Sequence, residues 1–296
     1  MNISHNGVYS IIVTYRPIME DLYQQIEALK LQTDYVVVCN NSSYDIGFED
    51  DKVIFFNFRD NLGIAKAQSI GMKWAFKNGA NFVLQMDQDS VPDNELVLNL
   101  LSSYSELTAQ GYKIGLVGSQ DYDKDTGVMS KAIIDKSKKI ENTNSFIVSN
   151  VLSSGSLIPQ KIYSLIGGMD DSLFIDIVDF EYCWRVIDND YLVVKNKDAL
   201  LGHKLGFGSV KIFLFFTINI GESFRHYYQY RNILTMMNRG YVPLSWKITQ
   251  LIKLIFKIII YPIGLKDGKD RFRYMRMGIK DYLGGKKGCI LIQKSN

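Results

Sequence analysis

Between residues 8 and 107, short apolar runs alternate with stretches that carry apolar residues at helical spacing, and nothing else in the chain constrains its fold as strongly. Strands are predicted over 8–14, 35–39, 53–58 and 82–86, and helices over 19–31, 63–77 and 93–107, with Leu22, Ile26 and Leu29 on one face of the first helix. Strands joined through helices run parallel, because a parallel pair needs a crossover connection that a tight turn cannot supply. The expectation is an α/β fold: a mostly parallel, Rossmann-like nucleotide-binding sheet flanked by helices.

The fourth predicted strand runs straight into Asp87 and Asp89. Side chains two apart on an extended strand point the same way, so both carboxylates serve one polar site. That site lies at the carboxyl end of the strand, where open α/β sheets bind ligands. Hard divalent cations take carboxylate oxygen, and Mg²⁺ is held by one or two carboxylates together with substrate phosphates. The pattern thus points to a nucleotide-diphosphate site, with Pro92 expected to open the next helix. Asp-x-Asp also occurs at Asp121/Asp123, Asp123/Asp125 and Asp188/Asp190, so position, not the pattern alone, singles out Asp87 and Asp89.

The net charge of +3 conceals an asymmetry. From Pro243 onward there are 12 Lys+Arg against 3 Asp+Glu, and the preceding residues hold the remaining 22 and 28, a basic tail on a mildly acidic body. Cys39, Cys183 and Cys289 are odd in number and far apart, without a Cys-x-x-Cys pair. This argues against a disulfide framework or structural zinc, and for a reducing compartment. No signal segment or bilayer-spanning apolar run is read, so a cytoplasmic protein attached to a surface is expected.

In the middle of the chain, strands are predicted over 114–118 and 145–152, followed by the small-residue turn Ser153-Ser154-Gly155-Ser156. A short helix over 159–165 ends at Gly167-Gly168, and 173–185 reads as a loop entering a helix. Over 246–262, Lys247, Gln250, Lys253 and Lys257 recur at helical spacing and leave a wide apolar face. Such a helix either lies in a membrane interface or docks on the body with its lysines along a solvated edge. The cations that follow, Arg271, Arg273, Arg276, Lys280, Lys286 and Lys287, favour an anionic surface. A dehydrogenase is excluded because Thr14-Tyr15-Arg16-Pro17 stands where Gly-x-Gly-x-x-Gly would follow the first strand. A P-loop is absent, and a nucleotidyltransferase lacks its Gly/Arg/Lys-rich triphosphate loop.

A series of short segments then matches a known pattern in order. They are Thr14-Tyr15-Arg16-Pro17, Asn40-Asn41-Ser42, Asn61-Leu62-Gly63-Ile64-Ala65-Lys66-Ala67-Gln68 and Asp87-Gln88-Asp89-Ser90. Ser154-Gly155-Ser156, Gly167-Gly168-Met169-Asp170, the block 174–185, Gly202-His203-Lys204-Leu205-Gly206 and the block 227–232 continue it. In this order and spacing, the chain resembles inverting family-2 glycosyltransferases of the GT-A fold, particularly the branch that uses dTDP-L-rhamnose.

The resemblance implies a GT-A catalytic domain over 1–242 and a basic, helical C-terminal region over 243–296. It places Thr14, Arg16, Asn41, Asn61, Gly63, Ala65 and Asp87 at the donor nucleotide, with Arg231 reaching the diphosphate. Where the family often carries an aspartate, this chain has Asn41. Asp89, Asp87 and His203 would hold a divalent metal, Mg²⁺ or Mn²⁺. Asp179 would be the general base, with Asp176 and Glu181 as rival acids and Trp184 also on the acceptor side. An inverting displacement needs a carboxylate on the acceptor side to take the hydroxyl proton. Asp179 stands at a predicted helix start, where the dipole favours the ionised form and where it would equally suit a cap. The implied partners are dTDP-rhamnose, a saccharide acceptor held on lipid, and an anionic membrane surface, with no nucleic acid. Two alternatives remain open at this point: a UDP-hexose or UDP-galactofuranose donor, and a non-catalytic assembly protein that keeps the fold.

Overall fold

The computed structural model describes residues 7–130, 137–203, 209–212, 216–219 and 221–290. Lys204, Leu205 and Gly206 of the expected histidine turn, and the last residues of the basic tail, lie outside the described residues. Its strands are β1 (Val8–Thr14), β2 (Tyr35–Asn40), β3 (Val53–Asn57), β4 (Phe82–Asp87), β5 (Val91–Pro92), β6 (Ile114–Asp123), β7 (Lys138–Lys139), β8 (Ser145–Val148), β9 (Ser156–Pro159), β10 (Leu192–His203), β11 (Ser209–Ile212) and β12 (Phe216–Asn219). Its helices are α1 (Met19–Lys30), α2 (Ile64–Lys77), α3 (Leu96–Ala109), α4 (Gln160–Ile166), α5 (Val178–Asp188), α6 (Arg225–Met237), α7 (Leu244–Gly264) and α8 (Gly268–Leu283).

Among the described residues, ten strands form one sheet in the order β3-β2-β1-β4-β9-β6-β10-β8-β7, with β5 on β10. The strands β3, β2, β1 and β4 are mutually parallel, as the alternation predicts. Every residue of β1 is buried, as expected of a strand covered on both faces. One face packs on α1 and α3 through Leu22, Ile26, Leu29, Leu96 and Leu100. The other packs on α2, α4 and α5 through Ala67, Met72, Ile162 and Tyr182.

The far half of the sheet is mixed. β9 runs antiparallel to both β4 and β6, and β8 antiparallel to β10. Residues 156–159, expected as part of a turn and a helix start, thus fill the gap between β4 and β6 as a buried strand. Pro92 likewise opens no helix: Val91 and Pro92 pair antiparallel with Gly202 and Leu201, and α3 begins four residues later. Proline suits such a short edge pairing because it has no N–H to offer the ladder.

The helices α6, α7 and α8 pack on one another around Tyr230, Leu254, Tyr261 and Met275. The link to the body is tight. Val242 lies in the main core, and Trp246 at the start of α7 meets Trp184 of α5 edge to face at 4.8 Å.

Candidate active site

The strand order fixes where the site must be. The connection from β1 leads outward to β2, whereas β4 lies on the other side of β1, so the order reverses between β1 and β4. At such a switch point the loops diverge and leave a crevice at the carboxyl ends of the strands. Val13 is in register with Asp87, so Thr14 and the Asp87–Asp89 turn both open into that crevice. The cleft there has a volume of about 550 Å³ and takes in Thr14, Asn41, Asn61, Gly63, Asp87, Asp89, Asp176, Asp179 and His203.

On the nucleotide side, Asn41 follows β2, and its side-chain oxygen accepts from the N–H of Leu62 while its amide donates to the Gly63 carbonyl. It therefore fixes the chain entering α2. Gly63 has φ +83°, and a Cβ at that position would fall 2.6 Å from the Phe174 carbonyl oxygen, so only glycine fits. Ala65 is buried, with its N–H donated to the same carbonyl, and therefore lies behind the cleft wall. Arg16 is exposed, with its guanidinium stacked over Tyr15, a cleft residue.

Asp87, Asp89 and His203 offer ligand atoms that all lie within 4.8 Å of one another. Buried Ser90 contacts both His203 Nδ1 at 3.1 Å and Ser154 Oγ at 2.8 Å, and Ser154 Oγ accepts from the Asp87 N–H. The side-chain amide of Gln25 donates to the carbonyls of Asp87 and Ser90, pinning the turn from beneath. With Nδ1 occupied by Ser90, Nε2 of His203 is the nitrogen left for a metal, the usual division of labour in a ligating imidazole. Two carboxylates and one imidazole fit a hard or borderline divalent ion such as Mg²⁺ or Mn²⁺. Burial and the neighbouring Asp89 charge push Asp87 up to about 6 against the opposing pull of His203. A cation would relieve that cost.

Asp179 stands in the first turn of α5 but does not cap it. Ile177 occupies the cap position, and the Asp179 carboxylate accepts from the N–H of the next residue, Phe180. Burial drives this carboxyl up to about 7; the Phe180 N–H pulls the other way, and the charges of Asp87 and Asp176 add to the rise. The helix dipole thus loses to desolvation here. Preceding α5, Phe174, Asp176 and Ile177 all have φ between +66° and +68°, a conformation costly for side chains with a Cβ. Arg231 and Asn232 of α6 hold that loop by donating to the carbonyls of Leu173, Ile175 and Asp176.

Several residues expected at the site are therefore elsewhere. Arg231 is 2% exposed and spends its guanidinium on the carbonyls of Ser172, Leu173 and Gly288. The arginine that lines the cleft is Arg225, paired with Asp176. A cation in the first turn of a helix opposes the macrodipole, and this was the one sequence signal that could have marked it. Glu181 is fully buried in a pair with Arg185 and Arg239, and Trp184 is buried against Trp246. Phe174, Ile175, Leu152 and Gln68 also line the cleft, and no local pattern announced them.

No protein-family model matches the chain. It is 31% identical over 293 residues to the dTDP-rhamnosyl transferase RfbF of Shigella flexneri, an alignment spanning 96% of this chain and 97% of that protein. Among solved structures, the crystal structure of GalNAc-T7 with UDP, GalNAc and Mn²⁺ superposes over 94% of this chain with a TM-score of 0.53. The identity there is 11% and this chain spans 57% of that one, so the likeness is one of fold, the GT-A glycosyltransferase fold.

Proposed function

The chain belongs to the dTDP-rhamnosyl transferase family, and from that premise we propose that it moves L-rhamnose from dTDP-L-rhamnose onto a hydroxyl of a lipid-linked saccharide. The reaction inverts the anomeric carbon and serves cell-surface polysaccharide synthesis at the inner face of the membrane. The observation that carries this reading is the convergence of Asp87, Asp89, His203 and Asp179 on one cleft at the switch point.

In this reading, Thr14, Asn41, Asn61 and Gly63 receive the nucleoside at the ends of β1 and β2. Asp87, Asp89 and His203 hold Mg²⁺ or Mn²⁺, which when bound supplies Lewis-acid stabilisation of the charge on the departing diphosphate. Arg225, in the cleft wall and paired with Asp176, is a fixed cation on the acceptor side. Asp179 takes the proton of the acceptor hydroxyl as its oxygen bonds to the anomeric carbon and the bond from that carbon to the diphosphate oxygen breaks. A base poised near neutrality is well matched to this work, because it is ionised at working pH yet basic enough to accept the proton. Asp176 serves the acceptor side, while Glu181 and Trp184 support α5 from behind. Residues 1–242 form the catalytic part and 243–296 the helical, basic part.

Calorimetric titration of dTDP, UDP and GDP, with Mg²⁺ and then with EDTA, tests the proposal. A metal-dependent preference for dTDP is expected. Preference for UDP would replace the donor, and binding of none by folded protein would sink the enzymatic reading.

A further inference from the structure

The helix α7 is docked the wrong way round for a soluble protein. At about 100° per residue, Leu244, Ile248, Ile252, Ile255, Ile259 and Ile263 fall within an arc of roughly 100°, and each is between 52% and 77% exposed. The opposite side of the helix carries Lys247, Gln250 and Lys257 and faces the body, with Lys253 exposed at its edge. There Lys247 donates to the Arg239 carbonyl at 2.7 Å and Lys257 to the Gln229 side chain at 3.2 Å. Leu254 and Tyr261 are the buried residues of this 21-residue helix. An amphipathic helix normally turns its apolar stripe to the core and its lysines to water. Here the arrangement is inverted, and a contiguous exposed apolar stripe of this length marks an interaction surface.

We infer that this stripe seats α7 flat in the headgroup–acyl boundary of an anionic membrane. Among the described residues no helix is long and apolar enough to cross a bilayer, which leaves an in-plane placement. The charge of the same hairpin selects lipid over a second copy of the chain. Lys266, Lys269, Arg276 and Lys280 are all exposed on α8 and the corner that leads into it. Joining two copies through this hairpin would bring these cations together, whereas anionic headgroups attract each one near the surface.

The placement has a consequence for the cleft and deepens the proposed reaction, on whose lipid-linked acceptor that consequence rests. The end of α7 and the corner after it lie against residues 223–226 at the entry to α6: the Tyr261 ring meets His226 at 5.5 Å, and Ser223 donates to Asp267 at 3.2 Å. Phe224 and Arg225, between Ser223 and His226, line the cleft. Seating the stripe therefore holds the Phe224–Arg225 wall of the cleft one helix diameter, ~10 Å, from the lipid, within reach of a hydroxyl on a lipid-linked saccharide.

The test is co-sedimentation of the full chain with vesicles of phosphatidylcholine alone and with added phosphatidylglycerol. The chain should bind the anionic vesicles, and Ile252→Glu combined with Ile259→Glu should lower partitioning ~10-fold or more with circular dichroism unchanged. Lys266→Glu combined with Lys269→Glu leaves the stripe intact and should abolish the preference for phosphatidylglycerol. Absence of binding by the unmodified chain, or equal binding by the Ile252→Glu/Ile259→Glu variant, overturns the inference. So does a dimer in sedimentation equilibrium that this variant dissociates. No donor is present, so a chain that binds vesicles but no sugar nucleotide supports the inference while overturning the reaction.

Discussion

Asp179 and Glu181 lie two residues apart on α5 and live in opposite electrostatic worlds. Two positions on a helix differ by about 200°, so one carboxylate faces the cleft and the other the back of the helix. Glu181 is fully buried, yet Arg185 grips it through two nitrogens at 2.7 and 2.9 Å, and Arg239 and the Tyr241 hydroxyl complete its shell. Asp179 has no lysine or arginine paired with it among the described residues; its neighbours are Asp87 and Asp176, and its carboxyl is pushed up to about 7. The same helical turn thus holds one acid whose charge is countered by arginines and one that lacks such a cation and holds its proton more tightly than a free carboxyl. Burial alone does not decide how a carboxyl titrates; burial without a paired cation raises it.

The largest effect should come from breaking the cleft side. Asp179→Asn keeps the shape and removes the base, so turnover should fall ~10²–10⁴-fold while calorimetric dTDP binding stays intact. Weak dTDP binding in that variant would place Asp179 in the nucleotide pocket instead. Glu181→Gln breaks the other side and leaves Arg185 and Arg239 without their counter-charge. It should cost roughly 3–5 kcal/mol of stability in urea unfolding, with turnover per folded molecule retained; a loss of turnover at unchanged stability would erase the contrast. Ser90→Ala frees the His203 ring and should weaken Mn²⁺ binding ~10–100-fold, read by titration of the metal, with the fold preserved.

The smallest effect is the most diagnostic. A base must be unprotonated to act, so with a raised carboxyl the rate falls as pH drops below its value. The acid limb for kcat should lie at or below about 7, because a bound cation offsets the Asp87 charge that helps raise Asp179. Below that limb the rate should fall about tenfold per pH unit. Glu181→Gln should leave the limb where it is. A limb that moved with Glu181 would reverse the assignment of the two acids.

Much of this site was legible in the chain. The alternation of strand and helix patterns predicts the parallel half of the sheet with Asp87 at the end of its fourth strand; Asp89 reaches the same site from the turn after the strand, not from the extended backbone on which a common direction was expected. The mixed half was not legible. β9 is four residues long and reads as a turn because its burial comes from strands on both sides, not from its own pattern. The choice of cleft arginine was equally hidden. Arg225 and Arg231 occupy the same helix, and only the packing of α6 against the loop before α5 sends Arg231 inward to carbonyls and leaves Arg225 in the cleft wall.

By itself, then, the sequence determined the layer architecture, the acid that ends the fourth strand and the amphipathic character of α7. Those follow from periodicity and local chemistry, which a linear chain carries in full. Tertiary structure alone decided which way each two-faced helix turned. It set Asp179 toward the cleft and Glu181 toward its arginines, turned Arg231 inward, and docked α7 by its lysines with its isoleucines outward. Periodicity defines the faces of a helix but not which of them is covered. That depends on partners brought together from distant parts of the chain.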